Sequence, residues 1–159
     1  MWRFGMEVSM ITYSSNEMKR YNHLCSEIEA AYHEMSLKLG LSDSAMVVLY
    51  SICNKGDSCL LQEICCQSGV SKQTINSAIR KLEAEGIVYL EAVNAKNKNV
   101  CLTEKGKQLA QVTAIKMIEA ENNIFDSWQK DEVEKYLELT ERYLKALQEE
   151  TKKIGGASR

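Results

Sequence analysis

The 159-residue chain contains no proline. Nothing in it therefore halts a helix by removing an amide donor or by ring clash, so long unbroken helices are open to it. The C-terminal third, rich in Leu, Lys and Glu, is suited to forming them. Also absent is any stretch near the roughly 20 apolar residues that a membrane-spanning helix needs, so no membrane partner is expected. Residues 1–15 mix Arg3, Glu7 and several hydroxyl side chains, and so lack the apolar run of a signal peptide. Six cysteines without such a signal read as reduced thiols rather than a disulfide framework, and a cytoplasmic location is expected. No glycine-rich phosphate loop, Ser/His/Asp set or paired catalytic carboxylates stand out. An enzyme is not expected, nor any cofactor or metal. Internal repeats and low-complexity segments are missing too.

What is present is an ordinary core-forming balance, 45% hydrophobic and 26% charged. The net charge of −2 argues against a uniformly basic nucleic-acid binder. Its distribution is uneven. Between Ser71 and Lys107 seven cations face four anions, a local charge of +3, which leaves −5 on the rest of the chain. A basic middle in an acidic protein points to a localised anionic partner.

Apolar residues at steps of three and four predict a first helix from Asn16 to Leu39, ended by Gly40. Ser42 or Asp43 caps a second, Ser44 to about Cys53, whose Ala45–Tyr50 run is apolar enough to be buried. A short third helix spans about Leu60 to Gln67, and Ser71 caps a fourth that reaches about Glu85. Two apolar alternations, Ile87–Glu91 and Asn99–Thr103, flank a polar turn and predict a hairpin. One long helix follows from Glu104 to about Ile124, and a last from Asp131 to Lys153. The fold class is therefore mainly α with a small β-hairpin.

The informative segment is Glu63 to Leu82. Gly69 suits the turn between two steeply crossing helices because it tolerates positive φ. Cys65 is the small residue where the helices touch, and Val70 anchors the turn. In the second helix Ile75, Ala78, Ile79 and Leu82 form the inward stripe. Ser71, Lys72, Gln73, Thr74, Asn76, Ser77, Arg80 and Lys81 are left outward or flanking, with no anion before Glu83. Amides can read adenine edges, hydroxyls reach bases or phosphates, and cations neutralise phosphate. A merely solvated face would mix both signs with abundant Glu. Double-stranded DNA is the expected partner, with Lys96 and Lys98 on the hairpin reaching the backbone or minor groove beside it.

Val70-Ser71-Lys72-Gln73-Thr74-Ile75 through Leu82-Glu83-Ala84-Glu85-Gly86-Ile87-Val88, followed by Leu102-Thr103-Glu104-Lys105-Gly106, resembles the MarR (multiple antibiotic resistance regulator) family. The resemblance implies a winged helix-turn-helix over 41–103 and a homodimer built from helices in 16–40 and 104–153. Residues 1–15 would be an N-terminal extension and 154–159 a frayed end. It further implies a transcriptional regulator, usually a repressor, released by small-molecule effectors, oxidants or metals. The two recognition helices would sit about 34–36 Å apart on a pseudo-palindromic operator. Where the family's wing carries an Asp-x-Arg pair, this chain has Asn94 and Lys96. Lysine suits a narrow minor groove less well than arginine, which shifts the expected weight of binding toward the recognition helix and Lys98.

Two other readings compete. The altered wing and the net negative charge favour a winged-helix interaction module that no longer binds DNA. An oxidant- or metal-responsive sensor would rest on Cys25, which lies further along the first helix than the sensing cysteine of some relatives, or on His23, Cys25, His33 and Glu34, whose spacing matches no compact zinc pattern. Tyr32, Tyr50, Phe125 and Trp128 are candidates to line an effector pocket, although such aromatics more often serve core or interface. Glu132, Glu134, Glu138 and Glu141 read as solvated surface.

Overall fold

The computed structural model describes residues 12–154, so most of the expected N-terminal extension and all of the expected frayed end beyond Ile154 lie outside it. Seven helices and three strands follow in the order α1 Asn16–Lys38, α2 Asp43–Cys53, β1 Ser58–Leu60, α3 Leu61–Ser68, α4 Lys72–Ala84, β2 Val88–Ala92, β3 Lys98–Leu102, α5 Glu104–Val112, α6 Ala114–Asp126 and α7 Lys130–Ile154. Among the described residues no single helix is long and apolar enough to cross a membrane.

Serine and threonine cap four of the helix starts. Ser15 accepts from the Met18 amide, Ser42 from Ala45, Ser71 from Thr74 and Thr103 from Gly106. Each satisfies one donor that the first helical turn leaves without a partner. Of the two candidates at the start of α2, Ser42 is the cap and Asp43 the first helical residue.

The core gathers around α2. Val48, Leu49 and Ile52 are fully buried there, joined by Ile64 of α3, Ile75, Ile79 and Leu82 of α4, and Val88 and Val100 of the sheet. Each such aliphatic side chain contributes about 1.5–3 kcal/mol by leaving water. The hairpin gains a strand that the sequence did not suggest. β1 pairs antiparallel with β3, Ser58 opposite Cys101 and Leu60 opposite Asn99, giving the order β1-β3-β2. Three residues are too few for an alternation to be read, and the strand exists only because β3 offers it a free edge.

The long helix expected from Glu104 to Ile124 is in fact two. It breaks at Thr113, where the backbone leaves helical geometry at φ −130° and ψ −91°. The Thr113 side chain is buried, and its hydroxyl donates to the Leu109 carbonyl at 2.7 Å. Such back-bonding by a β-branched hydroxyl residue favours bending, and here the chain turns outright. No glycine or proline marks the break.

The Leu-Thr-Glu-Lys-Gly stretch is a clamp on the end of α4. The Thr103 amide donates to the Ile87 carbonyl at 3.0 Å, and its hydroxyl donates to the Gly86 carbonyl at 2.6 Å. The Lys105 ammonium donates to the Glu85 carbonyl at 2.9 Å. Gly106 sits so close that a Cβ there would stand 2.0 Å from the Ile87 oxygen. Since that neighbour is backbone, Gly106→Ala should cost about 2–3 kcal/mol, read as a lowered urea midpoint with unchanged slope. Wild-type stability in that variant would show that α5 does not approach Ile87 so closely.

Candidate nucleic-acid interface

α3 and α4 meet through Gly69, which adopts a left-handed φ of 63° at the end of α3. Only glycine takes that conformation without steric cost, and it ends α3 and redirects the chain into α4. Cys65 packs half-buried against the core at the crossing, as does Val70 after the turn.

α4 divides cleanly. Ile75, Ala78, Ile79 and Leu82 are buried, while Lys72, Gln73, Thr74, Ser77, Arg80 and Lys81 are exposed. At about 100° per residue, Gln73, Ser77 and Arg80 fall on one line opposite the buried stripe. Lys72 and Asn76 flank that line on one side, Thr74 and Lys81 on the other. Asn76 is half-buried, further round toward the core than a central reading position would be. Ser71 is partly engaged as well: its oxygen caps the helix and lies 2.8 Å from the Thr74 hydroxyl.

The wing tip is held by Asn94, whose side-chain oxygen accepts from the amides of Lys96 and Asn97, both at 3.0 Å. Half of the Asn94 amide is thus spent on shaping the turn. Lys96 and Lys98 are exposed. Among the described residues none of Lys72, Arg80, Lys81, Lys96 and Lys98 makes an ion pair, whereas Lys55 pairs with Glu63 and Lys107 with Asp57. The cations within the basic segment are therefore not equivalent: Lys105 and Lys107 do structural work, and the other five are available to an anion.

Behind this face lies a cavity of about 520 Å³, bounded by α1, α2, α3 and α6. At its side Tyr32 and Tyr50 donate to the two oxygens of one carboxylate, Glu121, at 2.6 and 2.5 Å. Burial, reinforced by the bond to Glu121, raises both phenols above their ordinary value, Tyr32 strongly. The four aromatics considered for a single pocket are split. Tyr32 and Tyr50 line this cavity, while Phe125 and Trp128 line a separate depression near the α6–α7 turn and pack edge-on with Tyr136. Glu121, 89 and 71 residues from its two tyrosines, carries no mark in the sequence that could have singled it out.

The cysteines sort by depth. Burial and a hydrogen bond to Glu63 push the Cys59 thiol up to about 11. Burial also raises Cys53 and Cys101. Cys66 is exposed and Cys25 half-buried. His23, Cys25, His33 and Glu34 do not converge: no group of three or more metal-ligating side chains lies close enough to hold an ion among the described residues. His33 instead meets Asp43 at 2.7 Å, and Glu34 meets Lys38.

Comparison with known proteins agrees with this geometry. The sequence pattern of the MarR family matches residues 39–95. No curated protein matches the chain closely enough to count as a relative. Among solved structures, a MarR family regulator from Neisseria meningitidis superposes with a TM-score of 0.78 at 15% identity, over 88% of this chain and 99% of that one. A MarR protein from Peptoclostridium difficile is 23% identical, with a TM-score of 0.64 over 94% of this chain and 99% of its own. The MepR–DNA complex of S. aureus matches at 16% identity and a TM-score of 0.62, over 86% and 99%. Residues 39–95 thus match the MarR family pattern, in a chain that shares the fold of solved MarR family regulators.

Proposed function

We propose that the protein is a sequence-specific DNA-binding transcriptional regulator of the cytoplasm, acting as a homodimer and most simply as a repressor. The observation that carries this reading is the outer line of α4: Gln73, Ser77 and Arg80, exposed, without an acidic neighbour on that line, on a helix whose opposite side is fully committed to the core. Gln73 and Ser77 suit base edges, with Lys72, Thr74 and Asn76 beside them and Ser71 at the helix start, where the helix dipole favours phosphate. Arg80, Lys96 and Lys98 suit phosphates, and Asn94 serves by shaping the wing that presents the two lysines. Solution of a MarR relative in complex with DNA supports the same use of the fold.

Support for the homodimer comes from α1 and α7. α7 spans 25 residues and buries none of them, although apolar residues recur along it. Leu144 and Leu147 are 52% and 51% exposed, and Leu24 and Ile28 on α1 are similarly bare. Tyr21 and Tyr143 already bring these two helices together, with ring centroids 4.8 Å apart. A second copy is the natural cover for such a surface. On this reading 16–40 and 104–153 make the dimer and 41–103 meets DNA.

Fluorescence anisotropy with the DNA upstream of the protein's own gene, against a scrambled duplex and across a salt series, tests the reading directly. Tight, salt-sensitive binding that prefers the cognate duplex is expected. Gln73→Ala should change which bases are preferred. Lys98→Ala should weaken binding evenly and flatten the salt slope by about one. Equal, feeble binding to both duplexes, repeated over operator libraries, would favour a protein-interaction module instead.

Light scattering should give twice the 18.0 kDa chain mass, and Leu144→Glu with Leu147→Glu should bring it to one chain. A wild-type monomer would remove the two-fold site. The cysteine reading yields a further expectation. Alkylation requires thiolate, so at pH 8 iodoacetamide should label exposed Cys66 well before Cys59. Labelling is followed by mass spectrometry, and equal labelling of the two would show that burial does not hold Cys59 as the thiol.

A further inference from the structure

We propose that the cavity between α1, α2, α3 and α6 takes an organic cation, aromatic or amphiphilic, rather than an aromatic acid. The inference deepens the regulator reading, since it names the chemical class of its effector. Three carboxylates line the cavity, Glu29, Asp43 and Glu121, and no lysine or arginine does. His33, through its contact with Asp43, offsets at most one of them. An anionic ligand entering here would meet like charge with no counter-ion.

A cation finds complementary groups. Glu121 accepts from two phenol donors, one on each oxygen, and each oxygen retains a second lone pair. The phenol rings of Tyr32 and Tyr50 flank that carboxylate, and an aromatic face beside a carboxylate attracts organic cations by charge and by ring quadrupole. At about 520 Å³ the cavity is within the size range of small-molecule sites. Its lining has more apolar than polar surface, Met46 and Met117 included, which suits a ligand whose charge is carried on a hydrocarbon body.

The position gives binding a consequence. Glu121 stands on α6, Tyr32 on α1 and Tyr50 on α2, so one carboxylate joins three helices. Gln67 and Ser68, the last residues of α3, line the same space immediately before Gly69. A ligand that competes for Glu121 therefore acts on the helices that seat α3 and α4.

Calorimetry with tetraphenylphosphonium and tetraphenylborate, nearly equal in shape and opposite in charge, tests the inference without DNA present. The phosphonium should bind at least tenfold more tightly. Glu121→Gln should weaken phosphonium binding about tenfold, the effect of one nearby charge in a partly open site. If that variant does not fold, the Tyr50 pair decides: Tyr50→Phe should retain the phosphonium and Tyr50→Leu should lose it. Borate binding as tightly as phosphonium, or Glu121→Gln and Tyr50→Leu both binding like the wild type, overturns the proposal. In the anisotropy assay bound phosphonium should lower DNA affinity. Phosphonium bound by a protein that holds no DNA would leave the cavity assignment standing and overturn the regulator reading alone.

Discussion

The arrangement of the helix-turn-helix and its wing depends on the contact between Thr103–Gly106 and the chain leaving α4. Four links meet within a few residues: an amide and a hydroxyl of Thr103, the ammonium of Lys105, and the bare Cα of Gly106 against the Ile87 oxygen. Together they satisfy the carbonyls of Glu85, Gly86 and Ile87 where α4 gives way to β2. Without them those carbonyls would be left to solvent, and the direction of the wing relative to α4 would rest on the short sheet alone. These contacts tie the end of α4 and the start of β2 to α5.

Burial divides the molecule into two regimes. α2 is enclosed on nearly every side, and its neighbours supply the contiguous core. α7 lies at the other extreme, with its apolar residues half-exposed and its ion pairs all on the surface. Exposed pairs of that kind are worth little singly, so α7 is not stabilised by its charges. What it offers is area. The electrical division runs alongside: the segment that holds α4 and the wing carries +3, while the acidic excess lies on the rest of the chain. A polyanion is thus favoured at α4 and the wing over the rest of the chain.

Between the two regimes stands Glu121. Its carboxylate accepts from helices that belong to different parts of the fold, and half-buried charge–dipole bonds of this type are stronger than neutral ones. The cavity beside it is therefore bounded by a joint rather than by a uniform wall. Coupling of a molecule in the cavity to α4 would require differential contact with two arrangements of that joint, beside which the end of α3 lies.

Local chemistry was legible in the sequence wherever a single short segment carried the whole signal. Ser42, Ser71 and Thr103 mark helix starts because a hydroxyl cap acts within three residues. Gly69 marks the turn because positive φ is a property of one residue, and the buried stripe of α4 is legible because helical period places it. The outward face of the candidate interface followed from the same period. Even there Asn76 turned out to be half-buried and Asn94 to be part of the wing's own turn, because packing and local hydrogen bonds claim side chains that composition alone leaves free. Long-range pairing was not legible. β1 needs the edge of β3 some 40 residues later, the break at Thr113 depends on how α5 and α6 must separate to cover α2, and Glu121 gains its meaning only from tyrosines on two other helices. The sequence by itself determined the helices, their caps and the polar face of α4, since these are set by neighbours along the chain. The third strand, the clamp on Gly86 and Ile87, and the acidic aromatic cavity were decided by tertiary structure, because each exists only where separate segments are brought within hydrogen-bonding distance.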